Sequence, residues 1–329
     1  MQRKTVDVNG ITLSYLEAGE GDVILFCHGF PETSQSWRKQ IPELAAAGYR
    51  AIAPDLRGYG DSSCPVAPDR YTLFDIVGDL IGLMDALSIR RAIVVGNDWG
   101  ATVAWQMALM RPDRIAGVIA FGVPMMGRPP LPPTQLFPRT DDALFYTLYF
   151  QQQGIAEREF GRDVDATLRK IYHAASGEAG PRKPGDGTPN PFGMVSTRRG
   201  LLQDLPEPTV LPEWLAQADF DTIAASFRRS GFHGGLNYYR NLDRNRELQA
   251  SLEGMRVEVP ALFAAGSRDV GLAIPGMDRI IADMPRLVPH LRDTVILDGA
   301  GHWLQQERAE AVNALILSFA ASVDATVQS

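Results

Sequence analysis

One aspartate stands where the sequence predicts a tight turn between a strand and a helix. A buried-strand pattern at 92–95 is followed by Gly96-Asn-Asp98-Trp-Gly100 and then by an amphipathic helical run. Glycines two positions before and after a residue permit a strained turn that exposes the central side chain, as in nucleophile elbows, where that residue is usually serine. A helix-capping aspartate also fits this position. The spacing predicts Asp98 as a nucleophile, with capping as the alternative.

A carboxylate nucleophile restricts the chemistry that such a site can perform. Attack on an acyl carbon would give a high-energy anhydride, whereas attack on a saturated carbon gives an alkyl ester that water can later cleave. A serine in the same place would give an inert ether. Asp98 therefore shifts the expected substrates from esters and amides to epoxides or alkyl halides.

Cleavage of an alkyl ester requires a base, and His302 is the candidate. It lies in Ala300-Gly-His302-Trp303, just after the last predicted strand, where a fold with a nucleophile elbow carries its base. A structural histidine is the alternative. Of the other histidines, His28 ends an apolar run, His173 and His233 lie in an inserted helical region, and His290 follows a proline in a connector.

The base in turn needs a carboxylate that orients it. Asp269 follows the strand predicted at 260–265, and Asp298 lies only four positions before His302. Because the carboxyl ends of parallel strands cluster at one edge of a sheet, Asp269 is preferred and Asp298 is its rival. The predicted order along the chain is Asp98, Asp269, His302.

Two backbone N–H groups are predicted to stabilise an oxyanion. His28-Gly-Phe30-Pro-Glu32 follows a buried strand in a turn that can aim the N–H of Phe30 at the site, and the N–H of Trp99 follows the nucleophile directly. Such donors are worth about 3 kcal/mol each in the transition state. A purely structural turn is the alternative at Phe30.

The elements that position these residues alternate between strand and helix. A hairpin is expected around Asn9-Gly10, and an amphipathic helix is expected over 73–87. Short apolar runs without alternation predict strands buried on both faces of a parallel sheet, and they lie at 23–27, 50–53, 92–95 and 115–121. Sheet-like runs resume at 260–265 and 294–297. This alternation indicates a doubly wound α/β core.

The sheet pattern is interrupted in the middle of the chain. A proline-rich connector at 127–133 opens a region with helical pieces predicted at 141–150, 156–173, 221–227 and 235–241, and with a mobile proline- and glycine-rich surface loop over 177–193. A final helix is predicted over 307–319. We expect one α/β core formed by residues 1–124 and 258–329, with a helical cap inserted at 125–257.

The composition of the 329 residues excludes several classes of protein. A net charge of −7 argues against nucleic-acid binding, which needs a basic face. No run approaches the roughly 18 to 20 apolar residues of a membrane span, and no apolar signal segment follows Met1, so a soluble cytoplasmic protein is expected. The two cysteines, Cys27 and Cys64, are too few for a disulfide framework and lack metal-ligand spacing. No cofactor and no metal are predicted.

Together these motifs resemble those of the epoxide hydrolases of the α/β-hydrolase superfamily. The resemblance runs nearly end to end and includes His28-Gly-Phe-Pro-Glu32, Asp55-Leu-Arg-Gly-Tyr-Gly-Asp-Ser62, Gly96-Asn-Asp-Trp-Gly100, Leu148-Tyr-Phe-Gln151, Leu236-Asn-Tyr-Tyr-Arg240 and Gly301-His-Trp303. It implies the α/β-hydrolase fold, a mostly parallel sheet flanked by helices with an inserted helical cap. It also implies a small apolar epoxide and water as substrates.

The resemblance further implies that two cap tyrosines hold the epoxide oxygen, and the matching positions are Tyr146 and Tyr239. An opening epoxide expels an alkoxide, a poor leaving group, and a phenol can hydrogen-bond to it and protonate it. A departing halide needs no proton. Aromatic walls of the cap are the alternative for both residues, and Tyr149 and Tyr172 compete with Tyr146.

Two other functions are compatible with parts of this pattern. A haloalkane dehalogenase explains Asp98-Trp99 equally well, but many dehalogenases carry a halide-binding asparagine where this chain has Phe30. Trp99 argues against a fluoroacetate-type dehalogenase, which has an arginine after the nucleophile. A non-catalytic ligand-binding member of the fold predicts an incomplete catalytic set, whereas competent residues fill every candidate position. The sequence leaves the oligomeric state open, a homodimer included.

Overall fold

The computed structural model describes residues 1–180 and 190–327, and a twisted sheet of eight strands forms its centre. The strands of the described residues are β1 (Gln2–Val8), β2 (Ile11–Ala18), β3 (Val23–Cys27), β4 (Arg50–Pro54), β5 (Ala92–Asn97), β6 (Ile115–Phe121), β7 (Ala143–Phe145), β8 (Met194–Ser196), β9 (Ala261–Gly266) and β10 (Leu291–Leu297). The large sheet has the order β1-β2-β4-β3-β5-β6-β9-β10, and β7 pairs with β8 in a separate ribbon.

Six strands of the large sheet are parallel, and their carboxyl ends are aligned. Cys27 pairs with Gly96, and Asn97 pairs with Phe121, so β3, β5 and β6 end at one edge. The other two strands, β1 and β2, form the predicted antiparallel hairpin, with Asn9 at φ 49° in its turn. The register therefore brings the loops after β3, β5, β6, β9 and β10 to one place, as the α/β fold predicts.

Alternation of side chains along the buried strands divides the interior into two hydrophobic cores. In β3, Ile24 and Phe26 point into one core, whereas Leu25 and Cys27 point into the other. This follows from the period of two in a strand, because the central strands β3, β4, β5, β6 and β9 are buried on both faces, whereas the edge strands β1 and β10 are largely exposed. The predicted α/β fold with a sheet between helices is thus confirmed.

Helices cover both faces of the sheet and fill the region between β6 and β9. They are α1 (Ile41–Ala46), α2 (Leu73–Ala86), α3 (Trp99–Met110), α4 (Pro133–Leu136), α5 (Tyr146–Tyr149), α6 (Ile155–Gly161), α7 (Val164–Ala175), α8 (Gln217–Ser230), α9 (His233–Arg240), α10 (Leu242–Leu248), α11 (Met277–Asp283), α12 (Leu304–Glu307) and α13 (Ala309–Val327). None of the helices in the described ranges combines the length and the apolar character that crossing a membrane requires.

The region between β6 and β9 differs from the prediction in two places. The helix predicted over 141–150 is wrong in its first half, because Ala143–Phe145 forms β7, which pairs with a strand about fifty residues away. The helix predicted over 156–173 is two helices, because the Asp163 carboxylate accepts a hydrogen bond from the N–H of Ala166 at 2.9 Å and starts α7. We refer to this inserted region as the cap.

Part of the predicted surface loop over 177–193, namely 181–189, lies outside the described residues. Residues Gly177–Ala179 form a short 3-10 turn, and β8 begins at Met194. The division of the chain at 124/125 and 257/258 stays a prediction.

Helix α3 passes so close to the sheet that it requires glycine at its start. A Cβ at Gly100 would collide with the carbonyl oxygen of Cys27, and a Cβ at Gly96 would collide with the carbonyl oxygen of Gly100. Both obstacles are backbone atoms, which cannot turn away as a side chain can. The glycines of the elbow are therefore required by packing between β3, β5 and α3.

We predict that Gly100→Ala lowers the free energy of unfolding by about 2–3 kcal/mol, because the new methyl group must displace backbone in a packed core. The matched control is Gly161→Ala, since a Cβ at that exposed residue meets nothing within 4 Å. The control is expected to change stability by less than about 1 kcal/mol. Urea denaturation of both variants measures the difference, and equal stabilities would contradict the packing argument.

Candidate active site

Asp98 lies on a strained turn at the carboxyl edge of the sheet. Its backbone has φ 56° and ψ −122°, a conformation that non-glycine residues rarely adopt, and it links the end of β5 directly to α3. The N–H of Asp98 donates to the carbonyl of Phe121 at 3.2 Å. The Asp98 side chain is only 12% exposed, so the turn presents a reactive group in a nearly closed site.

His302 lies in the loop after β10 and is held by Asp269, which follows β9. The imidazole Nδ1 lies 3.0 Å from Asp269 Oδ1, and the same oxygen accepts a hydrogen bond from the N–H of Gly271 at 2.8 Å. Asp298, the rival, is exposed and accepts a hydrogen bond from the hydroxyl of Ser267 instead. The geometry therefore brings Asp269, and not Asp298, to the histidine.

The other imidazole nitrogen of His302 faces Asp98. Its Nε2 lies 3.5 Å from Asp98 Oδ2, a charge contact without the geometry of a hydrogen bond. Burial lowers the pKa of His302, but the charges of Asp269 and Asp98 and the hydrogen bond to Asp269 outweigh burial and raise the pKa well above its ordinary value. The imidazole thus lies between two carboxylates, one on each ring nitrogen.

Of the two predicted backbone donors, one binds the Asp98 carboxylate and the other lies at the start of α3. The N–H of Phe30 donates to Asp98 Oδ1 at 2.8 Å. Trp99 is the first residue of α3, so its N–H belongs to the first turn, where a helix offers no intrahelical acceptor. The ring of Trp99 packs against Tyr239, with 5.2 Å between ring centroids.

The cap places two tyrosines opposite Asp98. Tyr146 is the first residue of α5 and Tyr239 lies near the end of α9, and their ring centroids are 5.7 Å apart. Burial raises the pKa of both phenols, and the charge of Asp98 raises both further. Tyr239 Oη is buried with no hydrogen-bond partner among the described residues, although the Trp99 side chain comes near enough to oppose part of the rise in its pKa.

The tyrosines that competed with Tyr146 have their hydroxyls engaged elsewhere. Tyr149 donates to a carboxylate oxygen of Glu159 at 2.7 Å. Tyr172 donates to the carbonyl of Pro31 at 2.8 Å. Among these three candidates, Tyr146 is the one that shares the site with Tyr239 and Asp98.

Other histidines serve local structure. His28 Nε2 accepts a hydrogen bond from the N–H of Leu56 at 3.0 Å, and its Nδ1 lies 3.0 Å from the carbonyl of Gly29. His233 contacts Cys64 and the carbonyl of Pro65 at the junction of core and cap. Among the described residues, no group of three or more His, Cys, Asp or Glu side chains is arranged to hold a metal ion.

Glu32 is a buried acid next to the site whose role the sequence reasoning did not assign. It is 1% exposed, and its Oε1 accepts hydrogen bonds from Gln305 Nε2 at 3.0 Å and from Gln306 Nε2 at 2.7 Å. The signal that could have identified Glu32 in the sequence is its type and place: it is an acidic residue directly after a buried strand and a forced turn.

The surroundings of Glu32 favour its neutral form. Burial raises the pKa of this carboxyl to about 7, and the negative charge of Asp98 adds to the rise. The charge of His302 and the neighbouring amides of Asn97 and Gln306 oppose it. The charge of Glu32, and with it the charge of the site, therefore changes with pH near neutrality.

Comparisons with known proteins identify the family to which this chain belongs. Residues 22–309 match the family described as alpha/beta hydrolase fold. Epoxide hydrolase A of Mycobacterium tuberculosis is 44% identical over 319 residues, which is 96% of this chain and 96% of that protein. Epoxide hydrolase 1 of Siraitia grosvenorii is 39% identical over 97% of this chain and 98% of its own length.

The chain belongs to the epoxide hydrolases of the α/β-hydrolase family. Solved structures of the same family are similar over nearly the whole chain. An epoxide hydrolase from an endophytic Streptomyces has a TM-score of 0.93 at 39% identity, covering 98% of this chain and 96% of that one. Epoxide hydrolase A from Mycobacterium thermoresistibile has a TM-score of 0.88 at 40% identity, covering 97% of each chain. The family predicted from the sequence motifs is thus confirmed.

We predict that Glu32 makes the stability of the protein fall as pH rises toward neutrality. An acid whose folded pKa is raised contributes its full stability below the unfolded pKa and loses it as pH rises through the folded pKa, here about 7. Between about pH 5 and pH 8, ionisation of Glu32 should lower the free energy of unfolding by about 3 kcal/mol. In Glu32→Gln the amide cannot ionise, so the variant should gain stability relative to the parent over this range.

Urea denaturation of both proteins at pH 5 and pH 8 measures the effect. The buried Gln305 Oε1, which has no hydrogen-bond partner among the described residues, can accept from the new amide if the Gln305 side chain turns. A stability difference that is the same at both pH values would show that Glu32 does not titrate in this range.

Proposed function

We propose that this chain hydrolyses epoxides to vicinal diols through a covalent ester on Asp98, with water activated by His302. One arrangement carries the proposal: a carboxylate on an elbow, with a carboxylate-held imidazole 3.5 Å away and two cap phenols opposite. The relatives named epoxide hydrolase support the same reaction. The substrate class expected from the sequence, a small apolar epoxide, agrees with the aromatic residues around Asp98.

In the first step, Asp98 Oδ2 attacks a ring carbon and the carbon–oxygen bond of the epoxide breaks. Oδ2 is the free oxygen, because Oδ1 already accepts from the N–H of Phe30 at 2.8 Å. The departing oxygen takes a proton from Tyr239 or Tyr146. The high pKa of these phenols keeps them protonated until an alkoxide develops, and an alkoxide is basic enough to accept the proton.

Ester formation also prepares the base for the second step. The Asp98 carboxylate raises the pKa of His302, and the ester that replaces it carries no negative charge. The pKa of the imidazole therefore falls once the ester forms, and the imidazolium gives its proton to the phenolate that ring opening leaves. Nε2 is then free to take a proton from water. Asp269 keeps the ring oriented through Nδ1 during both steps.

In the second step, water attacks the ester carbonyl carbon. The negative charge moves to Oδ1, where the N–H groups of Phe30 and Trp99 form the oxyanion hole. When the intermediate collapses, the diol leaves with Oδ2 and the oxygen of water stays in the carboxylate of Asp98. The departing diol oxygen takes the second proton of the attacking water, so Asp98 is again a carboxylate and His302 again carries a proton. These steps need no cofactor.

We predict that Asp98→Asn folds but loses turnover by about 10³-fold or more, since the amide is a poor nucleophile. His302→Gln should still form the ester but fail to cleave it. Mass spectrometry of that variant after incubation with an aryl or an aliphatic epoxide should show an adduct of one substrate mass. Failure to detect an adduct with any epoxide tried would count strongly against the mechanism.

Two further experiments separate this reaction from its rivals. In a single turnover in heavy-oxygen water, the label should enter Asp98 and not the first diol released; label only in the diol would mean direct attack by water. A chloroalkane offered to the same enzyme should release little halide, because Phe30 provides no side-chain donor to a halide. Faster halide than diol formation would favour the dehalogenase function.

We predict that Tyr239→Phe slows ester formation by about 10²-fold while ester hydrolysis changes less than about threefold. Only the first step expels the epoxide alkoxide, so only that step needs the phenol proton. Tyr149→Phe is the matched control, since its hydroxyl binds Glu159 away from Asp98. Quenched-flow measurement of the ester gives both rates, and an equal loss in both would mean that Tyr239 serves packing.

A further inference from the structure

Phe192 contacts both the candidate base and a candidate proton donor, although no step of the proposed mechanism uses it. Its ring lies 5.0 Å from the imidazole of His302 and 5.3 Å from the ring of Tyr146, measured between centroids. The side chain is 6% exposed. Phe192 therefore touches the base of the second step and a proton donor of the first.

The backbone around Phe192 is fixed by its own hydrogen bonds. The N–H of Phe192 donates to the side-chain oxygen of Asn190 at 2.8 Å, and the N–H of Gly193 donates to the carbonyl of Asn190 at 3.2 Å. The next residues form β8, which pairs with β7. A local turn and a two-stranded ribbon thus set the direction of this ring.

The same ribbon sets the position of Tyr146. Strand β7 ends at Phe145 and runs directly into Tyr146, whose N–H donates to the carbonyl of Gly193 at 2.8 Å. Tyr146 directly follows β7, and Phe192 lies two residues before β8, so both rings lie at the same end of one ribbon, where Phe145 pairs with Met194.

The imidazole of His302 is held on a second side by the core. Trp303 contacts it at 4.9 Å between ring centroids, and the indole N–H of Trp303 donates to the carbonyl of Tyr172 at 2.9 Å. With Asp269 on Nδ1, Trp303 in the core and Phe192 in the cap, the ring of His302 is confined from three directions.

We propose that Phe192 is a positioning residue that aligns His302 and Tyr146 with the Asp98 carboxylate, and so supports both ring opening and ester hydrolysis. The inference rests on the proposed function. Small displacements of reacting groups cost large factors in rate, so a ring that restricts a base and an acid together affects both steps. Packing of the cap alone would not require contact with either group.

The test compares Phe192→Ala, which removes the ring, with Phe192→Leu, which keeps most of its volume. Quenched-flow mass spectrometry with an aryl epoxide measures ester formation and ester hydrolysis separately. We expect Phe192→Ala to slow both steps about tenfold or more and Phe192→Leu to recover both to within about threefold of the parent. The matched control is Phe137→Ala, whose ring stacks on Phe145 on the same ribbon at 5.2 Å between centroids, and both its rates should stay within about twofold.

A double variant tests whether Phe192 acts through Tyr146. If it does, Phe192→Ala should slow ester formation much less in a Tyr146→Phe background than in the parent, because the hydroxyl to be positioned is already gone. Ester hydrolysis should fall equally in both backgrounds, because that effect passes through His302.

Several results would overturn the inference. Rates of Phe192→Ala within twofold of the parent, or a loss in Phe137→Ala of the same size, would show that Phe192 only fills space. Full additivity with Tyr146→Phe in ester formation would show that Phe192 does not align Tyr146. These outcomes differ from failure of the proposed function, in which the parent enzyme itself forms no ester with any epoxide.

Discussion

The rest of the structure depends on how the Asp98 carboxylate is held. It lies on a strained turn, between the backbone N–H of Phe30 and the imidazole of His302. Its φ of 56° is tolerated because Gly96 and Gly100 let α3 pack directly on the backbone of β3. That packing aims the side chain at the loops after β3 and β10. The N–H of Phe30 then binds one oxygen and His302 faces the other.

The charges around this carboxylate are balanced within a buried volume. One imidazole faces Asp98 and Asp269, so burial of two acids is offset by one base with a raised pKa. Glu32 lies close by and lacks a cation of its own, which is why burial raises its pKa to about 7. In the proposed mechanism, ester formation removes one of these negative charges, and the imidazole changes from a counter-ion to a base once it has given up its proton.

The cap supplies the groups that the core cannot. Tyr239 comes from α9, whereas Tyr146 and Phe192 come from the β7–β8 ribbon, which joins segments far apart in the chain. Aromatic rings on these elements pack against one another beside Asp98, which is 9% exposed. Because the carboxylate and the base belong to the core and the phenols to the cap, ring opening in the proposed reaction needs groups from both parts of the fold, whereas ester hydrolysis uses groups of the core.

The sequence by itself determined the elements and motifs with local signals. Glycine spacing marked the elbow at Asp98, unbroken apolar runs marked the parallel strands, and strand order favoured Asp269 over Asp298. The tertiary structure decided what depends on distant pairing. β7 forms as a strand because Met194–Ser196 pairs with it. Tyr149 and Tyr172 are distinguished from Tyr146 because their hydroxyls donate to Glu159 and to the carbonyl of Pro31. Glu32 and Phe192 also emerged only in three dimensions, because burial and ring contacts arise between segments that no local pattern connects.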